Sequence, residues 1–255
     1  YGLTALDAVT TGDDNTVVGY AAGGALTTGA NNVIVGKNTA AANAMVGDHN
    51  TFVGGGAAYN ATDCDRNTII GRDAGYNLTN GDDNTIIGEE AGKAITTGTH
   101  NVFVGKDAGE SITTGTHSVF IGANAGDGHD TETSNIGIGY DALGGSIAGG
   151  ENNVAVGIYA LDALTSGDDN SALGYQAGSA VTTGSKNTCI GKGAGGSITT
   201  GDENVCLGRE AQTAAVDSDN SVTLGSSSIS SLRCQVQSIS SLSDERDKTD
   251  IIDLP

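Results

Sequence analysis

Apolar residues fall in short clusters along this chain, divided by glycine, threonine, asparagine and aspartate, and the clusters return at a fixed interval. Residues 88–122 display it best: GEEAGKAITTGTHNVFV is followed by GKDAGESITTGTHSVFI and a closing glycine, Gly122. With the last glycine of each unit as anchor, the series runs from Gly2, Gly19, Gly36, Gly54, Gly71 and Gly88 to Gly225, in steps of 17 residues eleven times and 18 twice. Self-similarity at so short a period marks a chain that stacks repeated units rather than collapsing around one core.

Within a unit, Thr-Thr-Gly and the polar pair after it have turn composition, as at Gly81-Asp82-Asp83-Asn84. The three residues after the asparagine are mostly β-branched or aromatic, as in Thr85-Ile86-Ile87 and Val102-Phe103-Val104, which predicts a strand. Two short extended pieces and two turns per unit amount to one coil of an all-β fold, a parallel β-solenoid or β-roll of about thirteen coils over residues 1–225. The residue before each anchor is always aliphatic, from Val18, Val35 and Val53 to Leu207 and Leu224, and is expected to point into the coil. Ala22, Ala57, Ala74, Ala91 and their equivalents, three residues after the anchor, form a second inward column.

Strand side chains alternate, so the residue two before the anchor is expected to face the other way. It is nevertheless apolar or small in nearly every unit: Val17, Ile34, Phe52, Ile69, Ile86, Phe103 and Phe120, then Gly137, Ala155, Ala172, Cys189 and Cys206. A solvated face does not carry such a column, which predicts several identical chains around a common axis, a coaxial homotrimer. Asn15, Asn32, Asn50, Asn67, Asn84 and Asn101 begin another column, broken once by Ser118, that reads as a hydrogen-bonded scaffold at the turn. Two stretches break the pattern, residues 43–49 and 126–134, and each fits a recognition loop and neutral drift equally.

Composition narrows the function. Forty-one glycines, one proline, no tryptophan and three phenylalanines leave a few apolar residues per repeat and no large core. Thirty-one acidic against eleven basic residues give a net charge of −20, which argues against nucleic-acid partners. No apolar run reaches the roughly 20 residues of a membrane helix, so no membrane insertion is expected. Cys189 and Cys206 lie one repeat apart and are expected to stack as small core residues, while Cys64 and Cys234 have no zinc-type spacing. No cofactor or metal site is expected, although calcium in the acidic turns remains an alternative. Tyr1 stands one residue before an anchor, which suggests that a longer protein continues upstream.

After Gly225 the period stops. Residues 226–242 are Ser-rich with alternating Ile229, Leu232, Cys234, Val236 and Ile239, which predicts an intertwined β connector. At residues 243–255 the charge density rises, beginning Ser243-Asp244-Glu245-Arg246-Asp247-Lys248.

The repeat, and above all Asn220-Ser221-Val222-Thr223-Leu224-Gly225, resembles the head repeats of trimeric autotransporter adhesins, which form left-handed parallel β-rolls in threefold bundles. The longer unit is similar to repeats in tail fibres of marine bacteriophages and related viruses. The segment from Ser243 to Lys248, with Ile251 following, resembles the start of the intramolecular chaperone domain of endosialidase-type phage tailspikes. That resemblance implies trimerisation followed by self-cleavage, with Ser243 as nucleophile and cleavage point and Lys248 as base. Together these resemblances imply a structural and adhesive trimeric fibre on a virion tail or other extracellular appendage, attaching to a host-surface receptor or glycan. Apart from single-turnover autoproteolysis at Ser243, no enzyme is expected. The alternative is a cellular adhesin or an ice-binding solenoid, suggested by Thr96-Thr97, Thr113-Thr114 and the other threonine pairs.

Overall fold

A computed structural model describes residues 2–146 and 148–231. Each unit contributes one three-residue strand, from β1 (Thr16–Val18) to β13 (Val222–Leu224), and the strands form a single parallel sheet in sequence order. The register advances by one unit per strand, so that Ile69 pairs with Ile86 and Ile86 with Phe103. The chain is a parallel β-solenoid, and among the described residues it contains no helix. At the usual ~4.8 Å between strands, the sheet rises about 60 Å along the solenoid axis.

The anchor glycines are dictated by backbone geometry. Gly88 has φ +145°, and a Cβ there would lie 2.1 Å from the carbonyl oxygen of Gly105 in the next coil. Only glycine satisfies both conditions, which is why the anchor column is invariant along the chain. Thr-Thr-Gly forms a bend, as its composition predicts, and the second extended piece expected in each unit is not a strand. It is tied to its neighbour all the same: the amide of Thr96 donates to the carbonyl of Thr113 at 2.8 Å, and the Thr96 hydroxyl donates to that same oxygen at 3.0 Å.

The expected order of the strand faces is inverted. The middle residue of each strand, the column of Ile34, Phe52, Ile69, Ile86, Phe103 and Phe120, is fully buried inside its own coil. The residue before the anchor, assigned above to the interior, points outward: Val18 is 43% exposed and Leu173 51%. The alanine column is buried as expected, in Ala22, Ala57, Ala74, Ala91, Ala108 and Ala125 among others. A third inward column comes from the aliphatic residue of the repeat: Leu26, Leu78, Ile95, Ile112, Leu164, Val181 and Ile198. Met45 takes that place in the irregular third coil and bridges to Leu26. Cys189 pairs in register with Cys206, and both are free and buried.

Side-chain volume in the core is balanced between positions six residues apart. In four successive coils a large strand centre has glycine six residues on: Ile69 with Gly75, Ile86 with Gly92, Phe103 with Gly109, Phe120 with Gly126; Ile34 and Phe52 have the small Ala40 and Ala58 there. A Cβ on Gly126 would meet the Phe120 ring at 2.5 Å, and one on Gly109 would meet Phe103 at 3.0 Å. Where the centre shrinks to Gly137 and Ala155, the partners are Leu143 and Leu161, both buried. Those leucines adopt φ +55° and +50°, a conformation that costs roughly 1 kcal/mol or more for a residue with a Cβ. Filling the interior outweighs that strain, as close packing requires.

Candidate functional site

The asparagine column is scaffold. The Asn84 amide and side-chain nitrogen both donate to Asn67 Oδ1, at 2.9 and 3.0 Å, and the same side-chain nitrogen donates to the carbonyl of Gly98 at 2.9 Å. The pattern repeats between buried asparagines through most of the solenoid. Ser118 breaks it, since its hydroxyl only accepts the Asn135 amide, at 3.3 Å. The buried asparagine side chains spend their donors and acceptors inside the coil, so the ladder is scaffold rather than a ligand site.

The acidic turns form a second ladder. Asp48, Asp65 and Asp82 each accept the backbone amide of the coil before, from Ala30, Asp48 and Asp65, at 2.7, 2.7 and 2.8 Å. Asp168, Asp202 and Asp219 do the same further along, for Glu151, Ser185 and Asp202. These carboxylates recur because each caps a coil. Among the described residues no group of three or more His, Cys, Asp or Glu side chains is placed to hold a metal ion. Nor is any helix there long and apolar enough to cross a membrane.

Two surface features are not explained by the coil itself. The first is the outer face of the sheet. It carries the aliphatic column before the anchors, including Ile70, Ile87, Val104, Ile121, Ile138 and Ile190, and beside it a column of valine, isoleucine and threonine at the first residue of each strand. Both columns are exposed or half-buried along all thirteen strands, and Val222 reaches 68% exposure. A soluble monomer rarely leaves an apolar patch larger than a few hundred Å² open to water. The second feature is a groove of about 380 Å³ lined by Lys37, Asn38, Gly55, Gly56, Tyr59, Arg72, Asp73 and Tyr76. It lies on the turn that follows the anchors, where most of the tyrosines and several of the lysines and arginines of this acidic chain are gathered.

The irregular stretch 126–134 contains buried titratable groups. His129 occupies the core position that is Ile95 or Ile112 in the preceding coils; its ring tilts against Phe120 at 4.9 Å, and neither ring nitrogen has a hydrogen-bond partner. Burial pushes its pKa down to about 4, with the Glu132 charge opposing in part. Glu132 stands where the repeat has the Thr-Thr-Gly glycine. Burial favours its neutral form, but amides donated by Asp130 and Gly149, at 2.8 and 2.9 Å, outweigh this and hold its pKa below the usual carboxylate range. Asp127, on the same turn, is raised to about 6 by burial and by Asp141. The stretch is thus a repaired irregularity in the core, not a clustered reactive centre. Cys64 likewise replaces a Thr-Thr-Gly glycine, and burial pushes its thiol up to about 12, which leaves it unreactive at neutral pH.

Ser243, Lys248 and Cys234 lie outside the described residues. Sequence reading did not find the groove. Its signals were there: Gly55 is a lone glycine in a column otherwise filled by side chains such as Tyr20, Lys37, Arg72 and Lys106, and Tyr59 and Tyr76 are one repeat apart. No family model matches the chain, and a search of curated proteins returns no match.

Proposed function

We propose that the chain is the shaft of a homotrimeric attachment fibre, in which the outer face of each sheet packs against the other two chains around a common axis. The observation that carries this reading is the unbroken aliphatic column on the solvent side of all thirteen strands. Half-buried or exposed along all thirteen strands, the two outer columns together offer at least the roughly 800 Å² that each partner brings to a standard protein interface. The occupant is a second copy of this chain, because the column has the same 17-residue rise as the face it has to match. Sedimentation equilibrium tests it directly: the complex should weigh three times the 25.2 kDa chain. A monomer at micromolar concentration would overturn the reading.

The resemblance to phage and viral tail fibres gives the shaft its role in host attachment. The resemblance at Ser243 and Lys248 gives it a self-cleaving chaperone that assists assembly, which is intrinsically slow where separate chains must form non-local parallel pairings. In a longer chain continuing past Pro255, intact-mass measurement should find a cut between Ser243 and Asp244 that Ser243→Ala and Lys248→Ala each prevent. Cleavage that persists in both variants would remove that role. The ice-binding alternative is not favoured: the exposed threonine column of Thr97, Thr114 and Thr131 is interrupted at the equivalent positions by Val46, Asp63 and Asn80, which spoils a flat repeating array.

A further inference from the structure

The groove on the turn after the anchors has the shape and chemistry of a sugar subsite. It is a notch one coil high. In the third and fifth coils the two residues after the anchor are Lys37-Asn38 and Arg72-Asp73, and these form its walls. In the coil between them the same positions are Gly55 and Gly56, which form its floor. At one end the rings of Tyr59 and Tyr76 stack at 4.9 Å with an interplanar angle of 12°. Ala41 and Lys93 hold the equivalent positions before and after, so the aromatic stack ends in both directions.

The fold does not require Gly55. Gly56 has φ +71°, which favours glycine, and a Cβ there would lie 2.3 Å from Asp73 Oδ1. Gly55 has no such conformation, and the nearest atom to a Cβ built on it would be the Lys37 carbonyl oxygen at 3.8 Å. Elsewhere that column carries tyrosine, lysine, arginine, glutamate, isoleucine or leucine, with the small Ala123 and Ser226 as the exceptions, without disturbing the coil. The missing side chain therefore opens a space that packing would have tolerated filling.

We propose that this groove binds a neutral pyranose. A pyranose ring has one face of C–H groups and a rim of hydroxyls. Tyrosine rings offer the first a flat apolar platform, and the rim groups match the second. Asp73 Oδ1 points over Gly56 as an acceptor, while Asn38 and Lys37 supply donors. The charge balance selects a neutral ligand. Arg72 is already engaged, with Asp73 at 2.9 Å, Glu90 at 3.4 Å and Glu89. Beyond the groove, the net charge of −20 repels anionic sugars. One such site per chain would be presented three times on a trimer, so weak single contacts would gain from multivalency.

The inference rests on the reading of the chain as an attachment fibre for its biological sense, but its test is separate. The full chain is applied to an array of neutral and acidic oligosaccharides, and neutral binders are then followed by saturation-transfer NMR. At least one neutral oligosaccharide should bind with saturation confined to C–H protons of one ring face. Gly55→Gln, which fills the notch, and Tyr59→Ala, which removes half the platform, should each weaken it by about tenfold or more. Binding only to acidic sugars, no binding at all, or full binding by both variants would each overturn the proposal. Sedimentation of the same samples keeps the two claims apart: a trimer that binds no sugar defeats this inference alone, and a monomer that binds sugar defeats the fibre alone.

Discussion

Ile86 and Ile87 are neighbours in the same strand, identical in composition, and they do opposite things. Ile86 is fully buried in its own coil between Ile69 and Phe103, while Ile87 faces outward. The inward column varies from glycine to phenylalanine along the chain, and the outward column stays valine, isoleucine or leucine throughout. The contrast has a physical cause. An inward residue is compensated by nearby core positions, by the residue six positions on from Ile69 to Ala155 and by a neighbouring coil at Gly178, where Leu161 fills the space, so its size is free to drift as long as those neighbours drift too. An outward residue is flanked only by its in-register equivalents in the coils before and after, as Ile87 is by Ile70 and Val104, and has no core partner to offset a change in size. In the proposed trimer that uniformity would follow from packing against copies of the same chain, since a change would appear at every symmetry-related contact at once.

The largest effect should come from placing a charge on the inward side. Ile86→Asp buries an unpaired carboxylate between two coils and should cost more than about 4 kcal/mol, so that circular dichroism finds the β signal lost. Next is the scaffold behind it: Asn84→Ala removes four side-chain hydrogen bonds from a buried ladder, two donated to Asn67 and Gly98 and two accepted from Asn101, and should cost about 2–4 kcal/mol, read as a lower melting temperature. Gly126→Ala tests the size compensation. It drives a methyl group into the Phe120 ring at a φ of +61° and should cost about 1–3 kcal/mol, part of which Phe120→Val in the same chain should restore.

A smaller, pH-dependent effect belongs to His129. Its folded pKa of about 4 lies below the unfolded value of about 6.5, so the unfolded chain takes up the proton first. Stability from this group is therefore complete above pH 6.5 and is lost as pH falls toward 4, by about 3 kcal/mol in all. Asp127, raised to about 6, works in the opposite sense: its folded form holds the proton longer, so acidification from pH 6 to 4 favours folding there. In His129→Leu the first contribution vanishes and the second remains. Melting temperatures at pH 7 and pH 5 should differ less unfavourably in that variant than in the parent, and an unchanged difference would mean that the imidazole is not held neutral in the core.

The period, the anchor glycines, the alanine column and the asparagine ladder were all legible in the sequence, because each is fixed by geometry that repeats once per coil. Which of Ile86 and Ile87 faces inward was not. A strand of three residues gives alternation no length over which to set its phase, and both candidates are apolar. The cue that resolves it is the pairing of Phe120 with Gly126 and of Gly137 with Leu143, which ties the variable column to a buried partner. The acidic turns looked like solvated surface, yet Asp65 and Asp82 cap backbone amides. The notch at Gly55 was easily passed over because its signal is a missing side chain, one glycine among forty-one, which stands out only against the column of Tyr20, Lys37 and Arg72.

The proposed trimer depends most on the outward column, and Ile87→Asp probes that column without touching the interior. Sedimentation equilibrium of the parent and the variant, each checked for its β signal, is the direct measurement. The parent should weigh three chains and Ile87→Asp one, with the fold of each coil intact. A parent that sediments as a monomer, or a variant that still forms the trimer, would contradict the claim that this face joins the chains.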